Sequence, residues 1–222
     1  MSWELTRCDD GVLRCGWCTA TPAYQQYHDQ EWGRPTADDR RLFEKLCLES
    51  FQAGLSWRTI LEKRTNLRAA FHQFDWVAMA AMGSQDVERL LQDAGIIRHR
   101  GKIEAVLNNA GRMPDMLAEF GSLGAFVWSF EALMPAQPEI VTLAHVCANT
   151  TSPASDAMAK ALKQRGWKFL GSTTIHAFMQ SMGLVNDHLS GCASRDPALL
   201  ARDAFIVPSS AAVNMARVKN LN

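Results

Sequence analysis

Apolar side chains recur at helical spacing along most of the chain, and this pattern predicts an all-α fold. The first stripe, which follows Asp38, consists of Leu42, Phe43, Leu46 and Cys47. Gly54 interrupts it, and Ser56 is a typical N-cap for a second helix that extends to about Arg64. The alternation expected of strands is nearly absent. We therefore expect a bundle of helices without a substantial sheet.

Four more helices are predicted downstream, while both ends of the chain lack a helical pattern. These helices begin near Ser84, Gly101, Ser155 and Thr174, and three of them end at Gly95, Gly166 and Gly183. Residues 1–36 contain several Gly and Pro residues and are predicted to be mostly loop. The tail 194–222 has no firm periodicity and is predicted to be partly disordered.

Composition narrows the classes of protein to be considered. The 222 residues are 47% hydrophobic and 21% charged, with 23 basic and 23 acidic side chains, which is typical of a globular chain. A net charge of zero excludes binding of nucleic acid through bulk positive charge, although a local basic patch is still compatible with it. The start of the chain lacks the apolar core of a signal peptide, no transmembrane run is present, and no coiled-coil seam is seen. We expect a cytoplasmic monomer whose six cysteines are thiols or metal ligands.

Two short spacings are compatible with a structural zinc site. Cys15 precedes His28 by thirteen residues, and His188 precedes Cys192 by four. Two Cys and two His ligands fill a tetrahedral zinc site completely, which is typical of a structural metal. Such residues also lie near each other by chance, and Cys15 with Cys18 forms a CxxC pair that could bind metal or do redox chemistry. From spacing alone Cys8 or Cys18 could also replace one of the four ligands.

A glycine-bounded loop between two predicted helices carries the local basic charge. Gly95 precedes it, Gly101 ends it at the start of the next helix, and its cationic side chains are Arg98, His99, Arg100 and Lys102. Free N–H groups and the positive end of a helix dipole bind phosphate without sequence preference. The segment therefore fits a DNA-backbone contact, although an ordinary solvated connection would look the same.

Aromatic residues crowd the first 57 positions, and one carboxylate stands out among them. The aromatic residues are Trp17, Tyr24, Tyr27, Trp32 and Trp57. Such rings can stack on a flat base, although core packing is the simpler interpretation for any one of them. Glu49 falls at the edge of the apolar stripe that begins at Leu42. Burial of a carboxylate there is costly unless the carboxylate is paired or has a function. The alternative is that Glu49 lies on the surface rim.

Taken together, these segments resemble the 3-methyladenine DNA glycosylase I family. The resemblance covers about residues 14–192, and several long segments agree in order and spacing. The segments that carry it are 14–17, 27–33, 47–49, 52–57, 92–103, 154–157 and 183–188.

The resemblance implies a helix-hairpin-helix glycosylase fold with a zinc-stapled lobe made of both chain ends. It places a two-lobed domain at residues 1–193, with a hairpin lobe at about 55–150 and a zinc lobe at about 14–50 plus 150–193. One structural zinc would be held by Cys15, His28, His188 and Cys192. The DNA backbone would be contacted by Gly95, Arg98, Arg100, Gly101 and Lys102. The base pocket would consist of Trp17, Tyr27, Trp32 and Trp57, with Glu49 as the catalytic residue.

The implied activity is hydrolysis of the N-glycosidic bond of 3-methyladenine in alkylated double-stranded DNA, without a lyase step. Methylation at N3 makes the base cationic, so it is already a good leaving group and selection becomes the main task. Each well-placed ring face would favour a cationic base by about 0.5–2 kcal/mol. Glu49 would accept hydrogen bonds from the donor edge of the base.

Several alternatives remain at this point. The wider superfamily places an Asp about eighteen residues after the hairpin lysine, and here Glu119 lies beside that position. The same fold could act on another alkylated or deaminated purine. A zinc-containing module could also bind damaged DNA without cutting it. A CxxC redox protein would need a thioredoxin-like context, which this helical pattern does not provide.

Overall fold

The computed structural model describes residues 3–209, and α-helices dominate that range. The strands are β1 (Leu5–Arg7) and β2 (Leu13–Cys15). The helices are α1 (Pro22–Gln30), α2 (Asp39–Gln52), α3 (Trp57–Ala70), α4 (Trp76–Ala80), α5 (Ser84–Gln92), α6 (Arg100–Ala110), α7 (Met113–Phe120), α8 (Leu123–Trp128), α9 (Leu143–Ala148), α10 (Pro153–Gln164), α11 (Ser172–Ser181) and α12 (Arg195–Asp203). Single 3₁₀ turns lie at Gly16–Cys18, His72–Phe74 and Glu131–Leu133. The prediction of a mainly helical fold is confirmed.

Helix α2 is the central helix of the fold. It packs against α3, α6, α8 and α11, and nine of its fourteen residues are buried. Its N-terminus is fixed by Asp38, whose carboxylate accepts a hydrogen bond from the Arg41 amide at 2.8 Å. Because neighbours surround α2, its polar side chains Lys45, Glu49 and Ser50 are buried as well.

The C-terminus of α2 is stabilised by a lysine from another helix. Gly54 follows the helix with φ of +80°, a conformation that suits glycine, and so ends it as the sequence predicts. The Lys102 ammonium of α6 donates hydrogen bonds to the carbonyls of Phe51 (2.9 Å) and Ala53 (2.5 Å). A cation at a helix C-terminus satisfies carbonyls that lack an intrahelical partner and complements the helix dipole.

The N-terminal segment has more regular structure than its Gly and Pro content suggests. Strands β1 and β2 pair antiparallel, with Leu5 opposite Cys15. Thr21 caps α1 by accepting a hydrogen bond from the Tyr24 amide at 3.2 Å. The prediction of a loop over 1–36 is therefore wrong for these elements. Helix α1 buries only Tyr27 and His28, so it has no apolar stripe by which it could be recognised.

Several helix boundaries differ from the predicted ones by one turn or less, and one differs by more. Helix α5 begins at Ser84 as its first helical residue, because the cap is Gly83. Helix α10 is capped by Ser152 rather than Ser155, and each serine hydroxyl accepts a hydrogen bond from the other residue's amide. Helix α3 extends to Ala70, six residues beyond the predicted end near Arg64.

The segment that follows residue 193 is helical where disorder was predicted. Helix α12 buries Ala198, and Arg202 on it donates to the Glu131 carboxylate, with Nε 2.8 Å from Oε1. The disorder prediction is therefore wrong for residues 195–203, because long-range packing orders them without an apolar repeat. The rest of that predicted tail, beyond residue 209, lies outside the described residues.

One continuous core joins the regions that were predicted as two lobes. Buried side chains of α2, α3, α6, α10 and α11 belong to the same cluster. A smaller cluster of Cys15, Val141, Leu189 and Cys192 lies beside it. The lobe boundaries stay a prediction. None of the helices within residues 3–209 has the length and apolar character needed to cross a bilayer.

Candidate active site

A cavity of about 170 Å³, which we call the aromatic cavity, opens between α1, α2, the start of α3 and the loop after α11. The side chains predicted to form a base pocket all line it: Trp17, Tyr27, Trp32, Glu49 and Trp57. They come from four separate stretches of the chain, so the fold rather than local sequence brings them together. The cavity is also lined by Tyr24, Lys45 and Gln52.

Glu49 is a buried carboxylate in the wall of this cavity. Its side chain is 4% exposed, and its Oε1 lies 2.7 Å from the ammonium of Lys45, one helical turn earlier on α2. Of the two interpretations of Glu49 drawn from the sequence, the surface-rim one is therefore excluded. A buried carboxylate requires a compensating partner, and Lys45 provides it.

The Lys45 ammonium has three partners, all of them cavity residues. Besides Glu49, it donates a hydrogen bond to the Tyr27 hydroxyl at 2.9 Å, and it lies 3.2 Å from the centroid of the Trp57 ring. Burial lowers the pKa of Lys45 to about 8, although Glu49 acts in the opposite direction. Burial likewise raises the pKa of Tyr27 well above its ordinary value. Tyr27 is therefore a neutral hydroxyl at physiological pH.

The aromatic walls of the cavity are organised around Trp17. Its ring centroid lies 5.1 Å from that of Tyr24 and 5.2 Å from that of Trp32. On the other side, Tyr27 and Trp57 have centroids 5.2 Å apart, with their planes inclined by 40°. These are ordinary distances for aromatic pairs. The rings therefore support one another and leave faces that can contact a planar group.

Polar side chains line the cavity together with the rings. The indole Nε1 of Trp57 is buried and has no hydrogen-bond partner within the described residues. Across the cavity, Gln180 donates to Asp187 Oδ2 at 2.8 Å. The lining therefore combines ring faces with a few polar side chains, which is typical of a binding pocket.

Four ligand-type side chains converge beside the cavity, and we call them the Cys/His cluster. The cluster consists of Cys15, His28, His188 and Cys192, all of them buried, with ligand atoms within 4.8 Å of one another. His188 Nδ1 lies 3.2 Å from His28 Nε2. Cys192 Sγ lies 3.5 Å from His28 Nε2 and 3.7 Å from His188 Nδ1. Within the described residues, Cys8 and Cys18 are not part of it. The cluster matches the predicted ligand set.

Neighbouring groups orient the two imidazole rings of the Cys/His cluster. His28 Nδ1 lies 2.7 Å from Asp29 Oδ1, and His188 Nε2 lies 3.2 Å from the Trp32 carbonyl oxygen. Each ring therefore directs its other nitrogen toward the centre of the cluster. Such partners are typical of histidines that bind a metal.

The Cys/His cluster also supports two walls of the aromatic cavity. The His188 ring lies 4.6 Å from the Trp32 ring, edge to face. The His28 ring lies 5.1 Å from Trp17 in a similar arrangement. Cys15 contributes to both the cluster and the cavity lining. A change in the geometry of the cluster would therefore displace the rings of the cavity.

The glycine-bounded loop joins α5 to α6, as the sequence predicts. A Cβ at Gly95 would come within 2.9 Å of both Asn66 Nδ2 and Asp93 Oδ1, so a larger residue would displace these two side chains. His99 caps α6 by accepting from the Lys102 amide at 3.2 Å. Among residues 3–209 the amides of Arg100 and Gly101 in the first turn have no acceptor, an arrangement that suits an external anion.

The basic side chains of this loop differ from the predicted patch. Arg98 is exposed and forms no hydrogen bond or ion pair with another described residue. Arg100 pairs with Glu88 at 2.7 Å. Lys102 is 6% exposed, and its ammonium binds the end of α2. Its side chain is therefore placed as a structural cap and not as a phosphate contact, because α6 turns it into the core.

Glu119, the alternative carboxylate, lies apart from the cavity. It pairs with Arg165, with Arg165 Nε 2.9 Å from Glu119 Oε2, and its side chain is 49% exposed. It is not among the residues that line the cavity. The structure therefore places one of the two candidate carboxylates, Glu49, in the cavity.

Lys45 is a cavity residue that the sequence did not predict. It lies four residues before Glu49 and within the apolar run of α2, a spacing that places the two side chains on one face of a helix. That spacing was the available signal. It was not sufficient, because a lysine on a helix usually reaches solvent.

Comparison with known proteins agrees with this geometry. The sequence model of the methyladenine glycosylase family matches residues 17–195. The chain is 54% identical over 179 residues to DNA-3-methyladenine glycosylase 1 of Escherichia coli (strain K12), covering 81% of this chain and 95% of that protein. It is 47% identical over 181 residues to DNA-3-methyladenine glycosylase of Haemophilus influenzae, covering 82% and 97%.

Solved structures show the same similarity in three dimensions. A crystal structure of 3-methyladenine DNA glycosylase I superposes with a TM-score of 0.76 at 54% identity, covering 81% of this chain and 98% of that one. A variant of 3-methyladenine DNA glycosylase I in complex with 3-methyladenine also has a TM-score of 0.76, at 36% identity, covering 82% and 97%. The N-terminal segment before residue 17 lies outside the family match.

The structural role of Lys102 leads to a test by substitution. Lys102→Met removes two hydrogen bonds from a buried ammonium to the end of α2, and we expect it to destabilise the fold by about 1.5–3 kcal/mol. Urea unfolding followed by circular dichroism measures this. Arg98→Met, which removes an exposed cation from the same loop, should leave the unfolding midpoint unchanged. An unchanged midpoint for Lys102→Met together with weaker DNA binding would show that the lysine contacts phosphate instead.

Proposed function

The chain belongs to the methyladenine glycosylase family, and on this premise we propose that it excises 3-methyladenine from alkylated DNA by hydrolysing the N-glycosidic bond. The observation that carries the proposal is the aromatic cavity with one buried carboxylate in its wall. Its volume of about 170 Å³ suits a flipped-out purine, which an enzyme of this class must take out of the base stack.

Selection of the base follows from its charge. A purine alkylated at N3 within DNA is cationic, and the cavity presents the ring faces of Trp17, Tyr27 and Trp57 with the carboxylate of Glu49. Ring faces and a carboxylate both attract a cation more strongly than a neutral ring of the same shape. Unmodified adenine is neutral, so it is attracted less by the rings and by the carboxylate. It also pairs better in the duplex, which makes it harder to flip into the cavity.

Bond cleavage needs little acid catalysis in this scheme. The C1′–N9 bond breaks with its electron pair going to the base, which leaves neutral because it entered with a positive charge. Water adds its oxygen to C1′ and releases a proton. Glu49 binds the donor edge of the base and stabilises positive charge in the cavity. The carboxylate therefore acts through electrostatic stabilisation and orientation of the base.

The glycine-bounded loop is the proposed contact with the backbone of double-stranded DNA. The first-turn amides of α6 would donate hydrogen bonds to a phosphate, and exposed Arg98 would add a cation. Gly95 and Gly101 let the backbone approach closely, and Arg100 would contribute once it leaves Glu88. The buried ammonium of Lys102 supports an activity without a lyase step, because it is engaged by two carbonyls.

We further propose that the Cys/His cluster holds one structural zinc ion. A tetrahedral zinc with nitrogen and sulfur ligands places those atoms roughly 3.3–3.8 Å apart, and three of the separations in the cluster are 3.2, 3.5 and 3.7 Å. When bound, the metal would supply a cross-link between the N-terminal segment and the loop after α11, and no chemistry on the base. The cytoplasmic location and the monomeric state stay predictions from the sequence.

Substitution of Glu49 tests the assignment of the carboxylate. Glu49→Gln keeps the shape of the side chain and removes its charge, so we expect release of 3-methyladenine to fall by roughly 10²-fold. The measurement is incubation with methylated DNA followed by chromatography of the released bases.

Glu119→Gln is the matched control for Glu49→Gln. Because Glu119 is exposed and outside the cavity, we expect the control to release the base at the wild-type rate. Wild-type release by Glu49→Gln, or a loss confined to Glu119→Gln, would contradict the assignment.

Native mass spectrometry tests the metal. The wild-type protein should carry one zinc ion, and a Cys15→Ser, Cys192→Ser double variant should carry none and unfold at a markedly lower temperature. Cys8→Ser, at a cysteine outside the cluster, should retain the ion. A double variant that keeps its full zinc content would move the metal to Cys8 or Cys18.

A further inference from the structure

The aromatic cavity already contains a positive charge of its own. The Lys45 side chain is 7% exposed, and its ammonium contacts the carboxylate of Glu49 at 2.7 Å. A cation in such surroundings has lost most of its hydration, so it stays charged only while those partners remain with it.

The partners of this ammonium are those that a cationic purine would use. They are the Glu49 carboxylate, the face of Trp57 with its centroid 3.2 Å from Nζ, and the Tyr27 hydroxyl at 2.9 Å. A base that stacks on Trp57 and donates to Glu49 would come within contact distance of the ammonium. Two positive charges at this separation in a partly desolvated cavity repel each other.

We infer that Lys45 is the specificity-determining residue of the cavity. Its ammonium occupies the position that a cationic base would take, and such a base can bind the Glu49 carboxylate only when Lys45 releases its proton to solvent. This inference rests on the proposed function, because it concerns the same carboxylate. Glu49 pairs with Lys45 before the base enters and with the base afterwards. Lys45 acts through Glu49 and not on the sugar–base bond.

The charges around Lys45 partly cancel, and an additional cation in the cavity would favour loss of its proton. Burial is the largest influence and lowers the pKa of Lys45 to about 8. Glu49 on the same helix and Glu31 after α1 favour the charged form, while Arg64 on α3 opposes it. A cationic base would act in the same direction as Arg64.

The smaller cavity on the other side of Lys45 adds no unpaired carboxylate to this balance. Its charged lining consists of Glu31, Arg41, Glu44, Arg64 and Arg68. Glu31 pairs with Arg64 and Glu44 pairs with Arg68. An ammonium that left Glu49 would therefore find its nearest acids already compensated, which favours loss of the proton over movement of the charged side chain.

Exchange of this kind sharpens selection and assists release of the product. A neutral adenine brings no charge to replace the ammonium, so it cannot separate Lys45 from Glu49. After the glycosidic bond breaks, the base is neutral and the repulsion disappears. Lys45 then takes up a proton from water and pairs with Glu49 again, which weakens the hold on the product. One proton leaves on binding and one returns after cleavage, so the cycle is balanced.

The test uses a cationic purine, 3,9-dimethyladeninium, as a probe, with binding followed by tryptophan fluorescence between pH 7 and 9.5. For a lysine whose pKa is about 8, about one molecule in ten is unprotonated at pH 7, so wild-type affinity should improve roughly tenfold by pH 9. Lys45→Met should bind more tightly than the wild type at pH 7, and the two should converge at pH 9.5. Lys160→Met, the same change at an exposed lysine of α10, should follow the wild type.

Equal pH profiles for the wild type and Lys45→Met, or a difference that persists at pH 9.5, would overturn the inference. Calorimetry of the wild type alone provides a second measurement that does not depend on the stability of a variant. Titration in buffers of different ionisation enthalpy should show release of about 0.9 proton per bound probe at pH 7 and almost none at pH 9.5. No release at pH 7 would refute the exchange.

These binding measurements are separate from the proposed function. Proton release on binding of the probe, together with no release of base from methylated DNA, would refute the glycosylase activity and leave the exchange standing. Base release by the wild type with no proton release on binding would refute the exchange and leave the glycosylase activity standing. Neutral 9-methyladenine, which has the same ring system without the charge, should bind more weakly and release no proton at any pH.

Discussion

Burial of the Glu49 carboxylate among aromatic rings is the constraint on which the candidate site depends. A carboxylate that is 4% exposed must be compensated, and α2 supplies the compensation one turn earlier through Lys45. The helix can bury both charges because it is surrounded by α3, α6, α8 and α11. The same burial that makes the pair costly gives the cavity its sensitivity to charge, since little water is present to screen a bound cation.

The remainder of the fold holds the cavity walls around this pair. The Cys/His cluster joins residues near both ends of the described chain and presses His28 and His188 against Trp17 and Trp32. At the far end of α2, Lys102 fixes the turn that leads to Trp57. The cavity is thus supported from two sides, by a cluster with the geometry of a metal site and by a buried lysine from the loop that faces DNA in our proposal.

The sequence was sufficient to predict features that depend on local capping and turn preferences. It was insufficient to predict features that depend on tertiary packing. Asp38, Gly54 and Ser56 mark the limits of α2 and the start of α3 through their own capping and turn preferences. The cavity residues and the ligand set came from the family resemblance, and the structure brings them together. Lys45 and Lys102 could not be assigned correctly, because only the tertiary fold shows that one ammonium is enclosed with Glu49 and that the other binds the end of a helix. Helices α1 and α12 were missed for a related reason, since few of their residues are buried. The short helices α4, α7, α8 and α9 were not predicted either.

Discrimination between a charged and a neutral lesion is the central claim of this account. It is tested most directly with two duplexes of identical sequence, one carrying 3-methyladenine and the other carrying hypoxanthine, a neutral purine of similar size. Single-turnover release of each base is compared with its spontaneous loss without protein. The account predicts strong acceleration for 3-methyladenine and release of hypoxanthine at the background rate. Equal acceleration of both would contradict it, because the cavity would then select by shape and not by charge.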